Sequence, residues 1–394
     1  SAGLATAAAS LSADEITVPS TIGSPAQYAL SVNELNLTNA SLPEKIWRSA
    51  YKTIYDVNGV LEGIRASESA SLTDSARKQI SGEALAIRAF CYFYLVNFFG
   101  DVPLTLTIDF SKTKNLPRAP REKVYEQIIK DLTEAKNNLA ADFRVGANER
   151  IRINKWFAEG LLARVYLYLG QYSDAVSSAT AVINQDGLFK LEPDLNNVFL
   201  KNSNEAIWQL QQNSPKNDRG VPEARIFLPL SASHTPQYPL ADTLLNTFEP
   251  TDKRLNAWTS FAVEAGTGNK MFYAYKYKVA RQSGTPIEYS TVMRLAEMYL
   301  IRAEAAVNLS SANTEDAIKD LNELRSRADV DDFPLTLTAN EVIKGVAAER
   351  RRELFAEWGH RWFDLKRTGK ASEVLSGLTY KQPWLGDYQL LYPV

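Results

Sequence analysis

One cysteine and two histidines in 394 residues leave little material for thiol or metal chemistry. Cys91 has no partner for an internal disulfide. It lies between Phe90 and Tyr92 in an apolar helical pattern, which predicts a buried, inert thiol. His234 and His360 stand far apart in sequence, so no metal site and no cofactor is expected. An excess of charge of one sign is also missing. Forty-four Lys plus Arg against 46 Asp plus Glu leave a formal charge of −2, which argues against nucleic acid as a partner. No apolar run is long enough to span a bilayer; the nearest, residues 84–99, carries Arg88 and Asn97. The first twenty residues lack the basic and apolar regions of a signal peptide and read as a mature or trimmed terminus. The G-x-S-x-G, Walker and H-E-x-x-H patterns are absent.

Helix dominates what is present. Apolar residues at Ala158, Leu161, Leu162, Val165 and Leu169 follow a 3.6-residue period that ends at Gly170, and Ser173 is the expected cap of a second helix. The same two-helix unit recurs at residues 295–309, with Thr314 as the expected cap of its second helix. It recurs again at residues 82–99, followed after a GDVP break by a helix from near Pro120. A further helix is predicted over residues 43–65. Aromatic-rich first helices paired with alanine-bearing second ones match the tetratricopeptide pattern. Long insertions separate the copies, so a compact body with decorated loops is expected rather than a continuous superhelical array. The fold class is therefore all-α (mostly α), with helical scaffold at residues 43–190 and 289–369. Residues 191–288 read as a loop-rich, partly β insertion in a single domain, with strand-like EAIWQLQ and KMFYAYKYKV.

Five segments occur in a telling order: GEALAIRAFCYFYLVNFFGDVPL, WFAEGLLARVYLYLGQYSDAV, RLAEMYLIRAEAAVNL, LNELRSRADV and ERRRELFAEWGHRWFDLKRTG. Together they resemble the SusD/RagB family of outer-membrane nutrient-binding lipoproteins of Bacteroidetes, over residues 82–369. The resemblance implies a non-catalytic protein that captures oligosaccharides, in some members peptides, and partners a TonB-dependent transporter of the SusC type. It also implies a surface lipoprotein anchored through an N-terminal cysteine that is not among these residues. The family transfers no residue-level site, because the middle region matches it poorly.

Within residues 349–369, Glu353 and Glu357 imitate a carboxylate pair and Arg350, Arg351 and Arg352 imitate a phosphate patch. The near balance of charge predicts an internal strut instead, with Leu354, Phe355 and Trp358 facing inward. Arg88 and Glu83 are expected to form a buried structural pair. The acidic runs at residues 192–197 and 329–332 read as solvated loops rather than calcium sites. Sugar recognition needs flat apolar rings beside planar polar side chains. In the insertion, Trp258, Phe261, Tyr273 and Tyr275 supply rings, with Arg254, Asn256 and Asn269 nearby. Arg219, His234 and Tyr238 lie in the preceding loop, while Trp47, Trp156 and Trp208 are assigned to the core. Peptide capture is the alternative binding function. A glycosidase using Glu223, Asp242, Glu249 or Glu264 ranks last, since no paired constellation stands out.

Overall fold

The helices start and stop where the local chemistry dictates. In the computed structural model, which describes residues 2–19, 23–212, 220–231, 233–264, 266–281 and 283–394, the N-terminal helix α1 covers Ala2–Ser12 and α2 covers Pro25–Ser31. Helix α3 spans Ser41–Ala66 and α4 spans Asp74–Phe99. Thr73 caps α4 by accepting the Ala76 N–H, and Gly100, at φ 71°, ends it in a conformation that a side chain would strain. From Ala84 onward α4 is apolar on nearly every side because it is the central helix, enclosed by α3 and by α5 (Arg121–Asn138). The GDVP break forms a minimal ladder of β1 (Val102–Pro103) against β2 (Arg118–Ala119).

Two caps differ from expectation. Asn154 caps α6 (Lys155–Tyr168) and Asn313 caps α9 (Thr314–Arg327), each side chain accepting backbone N–H groups of the first turn. Ser173 instead sits inside the first turn of α7 (Tyr172–Ile183), and Thr314 is the first residue of its helix. Helix α8 covers Leu295–Val307, α10 covers Ala339–Leu354 and α11 covers His360–Arg367. The helices pack in chain order, α3 on α4, α4 on α5, and so on to α7. Helix α7 then packs directly on α8, across the whole insertion. The insertion therefore leaves and re-enters the helical layer at one place. Arg164 of α6 and Glu297 of α8 make two hydrogen bonds of 2.6 Å in the dry seam there. No helix among the described residues is long and apolar enough to cross a membrane.

Buried charges elsewhere choose different partners from those nearest in sequence. Arg88 does not pair with Glu83. Its guanidinium grips Asp131 of α5 at 2.7 and 2.8 Å and Asn58 of α3 at 2.8 Å, joining three helices, while Glu83 pairs with Arg152. Cys91 is half-buried beside an apolar cavity of about 340 Å³, and burial pushes its thiol up to about 12.

The insertion carries two antiparallel pairs. Strand β3 (Ala206–Leu210) lies along β6 (Ser290–Arg294), and β4 (Thr259–Val263) forms a hairpin with β5 (Lys270–Ala274). Trp156 and Trp208 are buried as expected, whereas Trp47 is only half-buried. The stretch 349–369 is the predicted strut: Leu354, Phe355 and Trp358 face the core, Glu349, Glu353 and Glu357 meet cations from other elements, and Asp364 pairs with Arg350 and Arg367 of the same stretch. Glu353 accepts from Arg254, Arg294 and Arg327. Glu349 accepts from Arg254 and Arg352, and Glu357 from Arg294 and Lys276.

Candidate ligand-binding site

The ten residues singled out from the sequence divide by burial. Trp258, Arg254, Tyr273 and Tyr238 are enclosed and cannot offer a face to solvent; for these four the expectation of direct ligand contact is corrected. Trp258 is wholly buried because its indole packs on Phe199 at 5.7 Å, and its N–H donates to the Leu195 carbonyl at 3.0 Å. Arg254, four residues earlier on the same helical face, goes into the ion network on Asp252, Glu349 and Glu353. Tyr238 takes a hydrogen bond from the Gln27 side chain, and Tyr273 packs edge-on to Tyr275 at 6.1 Å. Arg219 lies outside the described residues.

The remaining five stay accessible, in three places. His234 is exposed, and its ring bonds the Ser231 hydroxyl of its own loop at 2.7 Å. Phe261 and Asn269 belong to the β4–β5 hairpin. Phe261 is 39% exposed, with the Lys270 ammonium 4.3 Å from its ring centre, and Asn269 closes the hairpin by accepting the Glu264 N–H. Asn256 and Tyr275 belong to the third place, which has the geometry of a site.

There a cavity of about 450 Å³ opens between residues 193–196 and the short helix Lys253–Trp258. Asp194 and Asn196 form one wall, Lys253 and Asn256 the other, and Arg327 from the end of α9 the floor. Each wall is held locally. Asp194 caps its turn by accepting the Asn196 N–H, a bond that also lowers the pKa of its carboxyl. Asp252 caps the facing helix, and the Lys253 N–H bonds the Ala328 carbonyl. The Tyr275 N–H donates to the Trp258 carbonyl at 2.7 Å, which sets Tyr275 beside the end of that helix, outside the cavity lining. Lys278 lies 5.4 Å from the Tyr275 ring centre and donates to the Asn196 side chain. Trp258 thus supports the cavity from beneath, locking Leu195 and stacking under Arg327 at 5.8 Å.

The floor has one notable donor. Arg327 gives its terminal nitrogens to Glu205 and Glu353, but its Nε, buried, has no acceptor among the described residues. An unmatched buried N–H costs about 1–3 kcal/mol, which the charged partners of the terminal nitrogens offset. The cavity thus presents a carboxylate, two amides and an ammonium group, from Asp194, Asn196, Asn256 and Lys253. That is a set for binding hydroxyls. No cluster of His, Cys, Asp and Glu suited to a metal ion occurs among the described residues.

The carboxylates considered for hydrolysis are scattered. Glu223 is buried and takes the Ser290 hydroxyl at 2.7 Å, Glu249 faces Arg325 at 3.0 Å, Asp242 is exposed, and Glu264 sits in the hairpin turn. None of them lines the cavity. Sequence reasoning missed a further surface. A cleft of about 650 Å³ lined by Asp101, Arg118, Arg121 and Asp387 adjoins one of about 500 Å³ lined by Trp47, and the Arg118 guanidinium stands 5.3 Å from the Trp47 ring centre. The polar LPRAPRE run after GDVP was the available signal, but Trp47 fell in a helical period and was assigned inward.

Comparison with known proteins bears on the scaffold. A family model described as starch-binding and associating with the outer membrane matches residues 7–167, and the SusD family model matches residues 245–385. SusD-like protein P2 of Formosa agariphila is 28% identical over 377 residues, covering 83% of this chain and 72% of that protein. Among solved structures, a laminarin-binding SusD-like protein superposes with a TM-score of 0.80 at 25% identity, covering 99% of this chain and 90% of the other. A SusD superfamily protein from Bacteroides vulgatus gives a TM-score of 0.84 at 20% identity, covering 98% and 89%. With the helix pairs in place and family models matching residues 7–167 and 245–385, the chain belongs to the SusD/RagB family.

Proposed function

We propose that this protein binds an oligosaccharide without cleaving it, in the cavity between residues 193–196 and the helix Lys253–Trp258. It then passes the sugar to a TonB-dependent transporter at the cell surface. The observation that carries the reading is the convergence of Asp194, Asn196, Lys253 and Asn256 on one open space, with the Lys278 ammonium linking Asn196 to the nearby Tyr275 ring. The laminarin-binding relative of the same fold supports a glycan as the occupant, and a β-glucan is the first to test. Non-cleavage is supported by the scatter of the acidic side chains, which face arginine, a hydroxyl or open solvent rather than each other. Membership in the family supports the transporter and the outer-membrane location.

Calorimetry with laminarin and a polysaccharide panel tests the binding step. Sugars compete with their own hydration, so dissociation constants on the order of micromolar to millimolar are expected. Asn196→Ala and Asn256→Ala should each weaken binding about fivefold, the loss of one hydrogen bond of about 1 kcal/mol. Heat from peptides but from no glycan would replace the sugar with a peptide. Release of reducing ends would end the non-catalytic reading. Co-purification of the membrane-extracted protein with a TonB-dependent transporter tests delivery.

A further inference from the structure

A separate cavity of about 210 Å³ lies in the angle between α10 and α11, next to the C-terminal turn of α8. Arg350, Arg351, Arg361, Arg367 and Lys370 line it, opposed on that lining by only two carboxylates, Glu304 and Asp364. Both carboxylates are already engaged. Asp364 accepts from Arg350 Nε at 2.7 Å and from Arg367 Nε at 2.8 Å. Glu304 takes both terminal nitrogens of Arg367, at 2.6 and 2.7 Å. Arg351 and Arg361 turn away to share Asp14, each at 2.7 Å.

Two donors are left over. Arg350 Nη1 and Arg351 Nε are buried and have no acceptor among the described residues, and the Arg350 side chain is only 3% exposed. Counting Asp14 and the Lys370 partner Glu373, five cations face four carboxylates, so the site keeps one positive charge in excess as well as two unmet donors. Much of the remaining wall is apolar, from Val346, Leu365 and Val374, and supplies neither. Water fits the volume and could accept the two N–H bonds, yet it leaves the charge surplus in place. An oxyanion meets both needs, and guanidinium groups suit its geometry.

We propose that this cavity binds a small oxyanion of phosphate, sulfate or short carboxylate chemistry, which staples α10 to α11. The site is distinct from the glycan cavity and stands or falls without it. The same chemistry could come from a free ion or from a charged group on a sugar.

The test uses the full chain dialysed into chloride. Sodium phosphate and sodium sulfate are added at matched ionic strength, and the thermal midpoint and the heat of binding are followed. At a hundredfold excess over the dissociation constant the midpoint should rise by about 3 °C, with no rise in sodium chloride. Ala347→Glu places a tethered carboxylate on an exposed cavity residue one turn from Arg350 and Arg351. This variant should melt higher than the parent in chloride and lose phosphate affinity at least about tenfold. Arg351→Gln, which removes one unmatched donor from a side chain 12% exposed, should lower phosphate affinity at least about fivefold. Equal midpoints in phosphate and chloride would overturn the proposal, as would an undiminished phosphate response in Ala347→Glu. Glucose 6-sulfate distinguishes the source. Heat from the ester that disappears in Ala347→Glu assigns a charged sugar, and heat from inorganic sulfate alone assigns a free ion.

Discussion

Glu353→Gln is the sharpest test of the strut. The Glu353 carboxylate, fully buried near the end of α10, receives Arg254 at 2.9 Å, Arg294 at 2.6 Å and Arg327. Burial acts to raise its pKa, but Arg327, Arg294 and Arg254 together hold it well below the usual carboxylate range. Around it, Arg254, Arg294, Arg327, Arg352 and Lys276 balance Asp252, Glu205, Glu349, Glu353 and Glu357, five charges of each sign. Glutamine keeps the shape and one acceptor oxygen, yet leaves one cation in excess in a dry interior. Removing one partner of a buried ion pair costs about 3–5 kcal/mol. Against a total stability of about 5–15 kcal/mol this is a large fraction. Spread over the unfolding entropy of a chain of this length, it lowers the thermal midpoint by about 4–6 °C. Urea unfolding and scanning calorimetry read it directly. The pH dependence has a fixed sign. A carboxylate whose folded pKa is depressed stabilises above its unfolded value of 4.5, and that stability is lost as pH falls through the folded value. The gap between parent and Glu353→Gln should therefore stay flat from pH 6 to 8 and narrow only below about pH 4.5. A loss smaller than about 1 kcal/mol, or a gap that ignores acid, refutes the strut.

Trp258→Ala should act on stability before binding, costing about 3–5 kcal/mol as a cavity opens under Leu195 and Arg327; a variant that melts like the parent yet loses sugar would reverse that order. Gly359→Ala meets two obstacles, a φ of 79° and an added Cβ only 2.6 Å from the Ala9 Cβ, so a loss of about 2–3 kcal/mol is expected in urea unfolding. Lys381→Met removes the buried ammonium that donates to the carbonyls of Leu11, Ser12 and Ser31 and to the Asn33 side chain. Those unmet acceptors should cost about 2–4 kcal/mol and speed proteolytic release of the C-terminal segment, followed by mass spectrometry.

Periodicity over long helices made the scaffold readable, because 3.6-residue spacing needs only neighbours to be seen. The strut was readable for a related reason, since charges that nearly cancel within twenty residues announce pairing. Partners across the fold were not. Nothing in the sequence near Arg88 names Asp131, forty-three positions away, over the closer Glu83. In the insertion, aromatic identity was visible but facing direction was obscured, because its elements are short. One signal was available: Arg254 and Trp258 lie four apart, which places them together on one helical face, and Asn256 between them on the other. That spacing separates the two buried residues from the accessible one.

The ion network also explains why so charge-dense a stretch closes the scaffold. Its carboxylates do not pair chiefly with their own arginines. Glu349 and Glu353 reach Arg254, and Glu357 reaches Lys276, both from the insertion, while Arg294 joins them where the insertion ends. The α10 carboxylates therefore clamp a loop-rich segment that has too little regular structure to anchor itself. Arg327 belongs to the same clamp and lines the candidate cavity, so the rigidity of the scaffold passes into that site through one guanidinium. Loops beyond the clamp are free to differ in length and ring content while Arg254, Lys276 and Arg294 keep their partners. A stable body can then carry a mouth whose specificity, in the function proposed above, falls to Asn196 and Asn256.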